Sequence, residues 1–180
     1  MIKKLKHVIA DAVVVIHANE QGYWNHLCNN CQIALPATIL ENEIFYFNSD
    51  RGKQGLNPSQ WVKKGMVIRL EAEIDDYRAL SNRLTHHFMQ GIDAGEKEAL
   101  AILMAKQFKD YFFTTADKAA IKALGILGLS SRGLSVEELL SYIGSSGNKM
   151  KLQSQYKKHW FQKNLDEGVG ERHLWVKSLL

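Results

Sequence analysis

The chain has 180 residues, 46% hydrophobic and 23% charged, with two prolines and a formal net charge of +4. These proportions suit one globular domain with room for a substantial core, and they exclude a largely disordered or low-complexity chain. The mild positive charge permits a polyanionic partner without requiring one, and no apolar run approaches the ~18 residues of a membrane span. The opening stretch MIKKLKHVIADAVVVIHA superficially copies a secretory signal. Asp11 and His17 interrupt its apolar run and no small-residue cleavage pattern closes it, so a buried strand, KHVIADAVVVIHAN, in a cytoplasmic protein is the expectation.

YWNHLCNNC then predicts a short helix and QIALP a second strand. PATILENEIFYF predicts a helix with Pro36 in its first turn. The turn-rich NSDRGKQGLNPSQWVKKG predicts a surface loop, and MVIRLEAE an edge strand. A helix over 75–89 carries Tyr77, Leu80, Leu84 and Phe88 on one stripe. GEKEALAILMAKQF is apolar on nearly every side and predicts a central helix. DYFFTTAD predicts a strand with a polar tip, and DKAAIKALGI a helix closed by Gly125. SVEELLSYIG predicts a further helix, with Ser135 as N-cap and Glu138 at the capping-box position. Strands alternating with helices imply an α/β fold, a three-layer sandwich around a mainly parallel sheet.

The composition changes after Ser145. KMKLQSQYKKHWFQKNLDEG is basic and spaces Leu152, Tyr156, Trp160 and Phe161 helically, which predicts an amphipathic extension, 146–180, appended to a domain of residues 1–145. Docking on the domain is the first expectation. A nucleic-acid arm of Lys149, Lys151, Lys157, Lys158 and Lys163 is the second, since exposed lysines usually only solvate a surface. Cys28 and Cys31 form a single Cys-x-x-Cys beside His26, without the second half of a closed zinc site, so reduced structural thiols are expected.

Carboxylates recur at the polar ends of these segments. Asp11 lies at or near the end of the first strand, and Asp117 follows FFTTA. Glu41 or Glu43 lies in the segment after the second strand, and Glu96 or Glu98 lies early in the central helix. In parallel α/β sheets ligands sit beyond the carboxyl ends of the strands, so four segments can each deliver an acid to one rim. Clustered carboxylates raise one another's pKa unless a cation neutralises them, and oxygen-only donors suit Mg²⁺ or Mn²⁺. Such an ion can orient and activate water against a phosphodiester. Thr115 could hold a carboxylate or a water through its hydroxyl. Helix capping is the ordinary alternative for Asp117, and solvated helix charge for Glu41 and Glu43. Asp11 is harder to dismiss, because a carboxylate among buried strand residues is costly unless paired.

Four stretches, in order, resemble the motifs of the PIN-domain family of metal-dependent ribonucleases: VIADAVVVI, LPATILENEI, DAGEKEALAIL and FFTTADKAAIKALGILGL. The third and fourth are the most specific, and together the four span 8–144. The resemblance implies a three-layer α/β/α fold, an acidic Mg²⁺ or Mn²⁺ site, and single-stranded or structured RNA as substrate. It also implies a possible homodimer and, since many members are toxins of toxin–antitoxin pairs, an antitoxin partner. By motif, Asp11 matches the first metal ligand and Asp117 the last. Glu41 or Glu43 fits the second and Glu98 or Glu96 the third, with Asp11, Glu41, Glu98 and Asp117 as the leading set and Thr115 in support. Glu96 and Glu98, two apart on a helix, point about 200° from each other, so one of them should face the ion. Ala12 departs from the family's usual Ser or Thr after the first Asp.

Other phosphate chemistries fit less well. A haloacid-type phosphatase needs a second Asp where Val13 stands, and a receiver domain needs an acidic neighbour that Asp11 lacks. A PIN-like binding or scaffold module without catalysis is the remaining alternative.

Overall fold

The computed structural model of the protein describes residues 6–145 and 151–177. Residues 1–5 of the basic start lie outside them, as does Lys149 of the proposed basic arm. Residues 146–150, at the expected boundary between domain and extension, lie outside them too.

The first half of the chain forms β1 (Lys6–Ala10), α1 (Ala12–Glu20), α2 (Trp24–Asn30), β2 (Cys31–Pro36) and α3 (Ala37–Asn42). A hairpin of β3 (Tyr46–Ser49) and β4 (Gly52–Gly55) follows, then α4 (Pro58–Lys63) and β5 (Val67–Leu70). Three helices come next: α5 (Ile74–Arg83), α6 (His86–Gln90) and α7 (Ala94–Met104). The remainder is β6 (Tyr111–Thr114), α8 (Lys118–Leu127), β7 (Gly133–Leu134), α9 (Val136–Tyr142) and α10 (Lys158–Trp175).

Five strands make one sheet in the order β5-β2-β1-β6-β7, with every neighbouring pair parallel. Alternate residues serve opposite faces, as the strand period of two requires. Val8, Ala10, Ile33 and Leu35 pack under α1, α2, α3 and α9. Ile9, Ala34 and Phe113 pack under α5, α7, α8 and α10. The expected α/β architecture with a mainly parallel sheet is therefore present, and MVIRLEAE supplies its edge strand. Among the described residues no helix is long and apolar enough to cross a membrane.

The structure corrects several boundaries. The first strand stops at Ala10 rather than running through the valines. Asp11 is extended (φ −78°, ψ 157°) and its side chain accepts from the Ala12 N–H at 2.7 Å, which starts α1. Capping and burial of Val14 and Val15 against the sheet override their strand preference. The polar stretch expected as a loop contains β3, β4 and α4, the last opened by the Asn57 cap and Pro58. The helix predicted from Pro36 ends at Asn42, because the chain must turn into that hairpin.

The single helix expected over 75–89 is two. Leu84 is extended and forms an isolated bridge to Val176, the Thr85 N–H donates to the Trp175 carbonyl at 2.8 Å, and the Thr85 side chain caps α6. A distant segment thus interrupts a locally good periodicity. The helix after Asp117 runs past Gly125 and closes at Gly128 with φ 76°. Gly125 is instead a close-approach position: a Cβ there would stand 2.4 Å from the Leu165 carbonyl oxygen of α10. The Ser135–Glu138 capping box forms as expected, with the Glu138 N–H donating to the Ser135 hydroxyl at 3.1 Å.

The basic tail docks, as the first expectation had it. Tyr156 joins the core on one face, and Phe161 and Leu165 join the other. Lys122 Nζ ties α8 to α10 through Glu171 at 2.8 Å and Glu167 at 3.1 Å.

Candidate functional site

The strand order places the site. The chain lays down β1, β2 and β5 outward on one side, then returns to add β6 on the other flank of β1. The carboxyl ends of β1 and β6 therefore border the point where the winding reverses, which is where open α/β sheets bind ligands. Asp11 directly follows β1, and Asp117 lies three residues beyond the end of β6. Each caps the helix that follows its strand. Asp117 Oδ1 accepts from the Ala119 N–H at 2.7 Å and the Ala120 N–H at 3.0 Å. Helix N-termini carry partial positive charge, so a rim that collects them tolerates carboxylates.

A cavity of about 250 Å³ opens at this rim, lined by Asp11, Ala12, Val13, Glu43, Asp93, Glu96, Ala116, Asp117 and Gln155. Thr115 supports it from behind. Its hydroxyl donates to Asp11 Oδ2 at 2.8 Å and accepts from the Asp117 N–H at 3.0 Å, so one side chain sets both acids.

Glu96 and Glu98 separate by helical phase on α7, whereas Glu41 and Glu43 separate because α3 ends at Asn42 between them. Glu96 lines the cavity, and its side chain accepts from the Asp93 N–H at 3.1 Å in a capping box on α7. Glu98 lies on the other side of α7 and is only 2% exposed. It accepts from the Thr38 N–H at 2.8 Å and the Ala72 N–H at 3.2 Å, joining α7 to the start of α3 and to the segment after β5. Glu43 lines the cavity and accepts from the Gly95 N–H at 3.1 Å. Gly95 is needed there, because a Cβ would fall 2.5 Å from Ile39 Cγ1 and 2.7 Å from a Glu43 oxygen. Glu41 points away and pairs with Arg69 at 2.9 Å on the surface. Of the predicted residues, then, the fold brings Asp11, Glu43, Glu96 and Asp117 to one cavity, with Thr115 behind, and leaves Glu41 and Glu98 outside it.

The acids that meet are strained as charges. Burial, only partly offset by the Thr115 and Ala12 hydrogen bonds, pushes Asp11 up to about 7, and Glu43 and Asp117 add repulsion. Burial likewise pushes Glu96 up to about 8, with Asp11 and Asp117 the next causes. Glu43 is raised as well, mainly by burial. An oxygen-only donor set whose members repel one another is the kind of chemistry that a hard divalent cation can neutralise. Among the described residues, no three acidic, His or Cys side chains are drawn together as a ready coordination group. Each carboxylate is held by local donors instead.

Two cavity residues escape the sequence reading. Asp93 carries a detectable signal, the D-x-x-E spacing of its capping box with Glu96. Gln155 carries none: it arrives from the tail, positioned by Tyr156, whose ring lies 3.9 Å from the buried His17 ring. His17 Nδ1 in turn is 2.8 Å from the Tyr23 hydroxyl. Cys28 and Cys31 do not line this cavity. Burial, then Cys31, pushes Cys28 up to about 12, so it is no reactive thiolate.

No protein family, no curated protein and no solved structure matches the chain.

Proposed function

We propose that this chain is a metal-dependent endoribonuclease on a PIN-like fold, cutting phosphodiester bonds of single-stranded or structured RNA. One observation carries the reading: Asp11, Glu43, Glu96 and Asp117, from four separate segments, face one cavity at the winding reversal of a parallel sheet. The four motif resemblances lend it support, since all four cavity acids lie in the matched stretches, with Glu43 and Glu96 in place of the leading candidates Glu41 and Glu98. In this reading Asp11, Glu96 and Asp117 hold Mg²⁺ or Mn²⁺, with Glu43 completing the acidic wall. When bound, the ion lowers the pKa of a water and neutralises charge on the phosphate.

The chain's own residues supply the rest. Thr115 keeps Asp11 and Asp117 oriented through its hydroxyl, a support whose loss typically costs 10–100-fold in affinity or activity. Burial favours the protonated forms of Asp11 and Glu96 in the free protein, and an ion held between them would favour the carboxylates instead. Gln155 is an uncharged polar side chain on the cavity wall, and its amide, which donates one hydrogen bond to Gln153 Oε1 at 3.1 Å, would offer its second N–H to a phosphate or sugar oxygen. The same reading includes a cytoplasmic toxin controlled by an antitoxin, with a second copy of the chain as a further partner.

The test is cleavage of a mixed single-stranded RNA pool with Mn²⁺, with EDTA, and by Asp117→Asn, whose fold is checked by circular dichroism. Asparagine remains a good N-cap, so the helix should survive the change. Metal-dependent cutting that EDTA abolishes and Asp117→Asn lowers by about 10²-fold or more is the expected result. No cutting of any RNA class, together with no calorimetric Mn²⁺ binding, sinks the catalytic reading in favour of a PIN-like binding module.

A further inference from the structure

The β3–β4 hairpin has a surface that its packing does not explain. Phe45 and Tyr46 are consecutive and are the two most exposed aromatic residues among those described, at 56% and 44%. Burying either ring would stabilise the fold, so leaving both in water favours a surface that something covers. Lys53 Nζ sits 3.9 Å from the centre of the Tyr46 ring, on the same hairpin face, and Arg51 is exposed at the tip beside Asp50. Lys63 and Lys64, both exposed, close the helix that follows. An exposed ring with a cation beside it is a pattern that stacks a base while meeting its phosphate, and Phe45, one position nearer the root, offers a second exposed ring on the other side of the arm.

The hairpin is anchored to the fold at its root and at the far end of α1. Its root is Ile44, wholly buried, and the Leu56 N–H closes that root on the Phe45 carbonyl at 2.8 Å. The Asn48 N–H reaches Glu20 Oε1 at 3.3 Å, at the far end of the helix that Asp11 caps. Phe45 follows the cavity residue Glu43 by two positions, a Cα separation of at most about 7 Å.

We propose that this hairpin is a base-stacking arm that guides single-stranded RNA toward the carboxylate cavity. Phe45 and Tyr46 supply the stacking faces, and Lys53 and Arg51 the phosphate contacts. The proposal deepens the nuclease reading and rests on it for the direction in which the strand runs. The positive flank favours a polyanion over an acidic-neutral protein surface, and it offsets the repulsion that the cavity acids exert on an approaching phosphate.

The experiment is fluorescence anisotropy with a 5′-labelled single-stranded 12-nucleotide RNA in EDTA, which prevents metal-dependent cutting. Tyr46→Ala and Phe45→Ala should each weaken binding about tenfold, Tyr46→Phe should restore it, and Lys53→Ala should flatten its salt dependence. Sedimentation of the same proteins reports whether a second copy covers the arm. Wild-type protein that does not bind the RNA, or alanine variants that bind it undiminished, overturn the proposal. So does a dimer that Tyr46→Ala dissociates while RNA affinity stays constant. RNA that binds through Tyr46 but is never cut with Mn²⁺ leaves the arm standing and removes the nuclease. Cutting that ignores both aromatic residues does the reverse.

Discussion

Helix α8 belongs to two regions that are held together in opposite ways. At its first turn Asp117 faces the acidic cavity, where Asp11 and Glu96 are buried among like charges. Along its body the same helix meets α10 closely enough that Gly125 and Gly168 leave no room for a Cβ. The seam is fully compensated: backbone lies against backbone, and Lys122 is matched by Glu167 and Glu171. The rim retains charge that its own hydrogen bonds only partly relieve. A protein that spends stability in one place and recovers it next door is the pattern expected around a binding site.

The contrast can be broken most forcefully at the seam. Gly168→Val would place atoms where even a Cβ lies 2.2 Å from the Lys122 carbonyl oxygen, and should lower stability by about 3 kcal/mol in chemical denaturation. Gly170→Ala on the same helix, with nothing within 4 Å of the new Cβ, should instead be neutral or raise stability by up to about 1 kcal/mol. Equal losses from both would mean that helix propensity, and not close approach, governs this seam.

A second effect tests the rim. Asp11 and Glu96 have folded-state pKa values above their ordinary ones, so the stability they contribute is present at pH 4 and below and is lost as pH rises through 7 to 8. In EDTA, thermal melts should therefore show stability falling by several kcal/mol between pH 5 and pH 8.5, with the melting temperature falling alongside. Glu96→Gln should reduce that slope, and Mn²⁺ should raise the melting temperature most at the alkaline end. A flat profile would mean that the rim acids are not in conflict.

The smallest effect is expected at Glu41. Its pair with Arg69 is exposed, so Glu41→Gln should change stability by less than about 0.5 kcal/mol and leave cleavage untouched. Glu43→Gln should impair cleavage under the same assay. Reversed outcomes would reassign the second acidic position.

Much of this was legible residue by residue. The Ser135 capping box, the edge strand and the acidic ends of four segments follow from local chemistry, since caps and alternation act over a few residues. Where local chemistry offered two answers, it failed in instructive ways. Val13 to Ile16 read as strand because β-branched residues favour one, yet the Asp11 cap and burial on the sheet made them helical. The stripe over 75–89 read as one helix because nothing near Leu84 announces a partner at Val176. Gly125 read as a helix end because a glycine's usual use is a turn, whereas here it admits a neighbouring backbone.

The sequence by itself determined that acids stand at the starts of several helices, because N-capping is a local preference. It also determined that the segments alternate as a parallel α/β sheet requires. Tertiary structure decided what those acids could do together. It chose Glu96 over Glu98 for the cavity, since positions two apart on a helix differ by about 200° and only packing says which side faces inward, and it chose Glu43 over Glu41 by ending α3 at Asn42 between them. It also brought Gln155 to the wall from the tail, through the docking of Tyr156 on His17, a contact between residues 139 positions apart in the chain (156 − 17) that no local rule could specify.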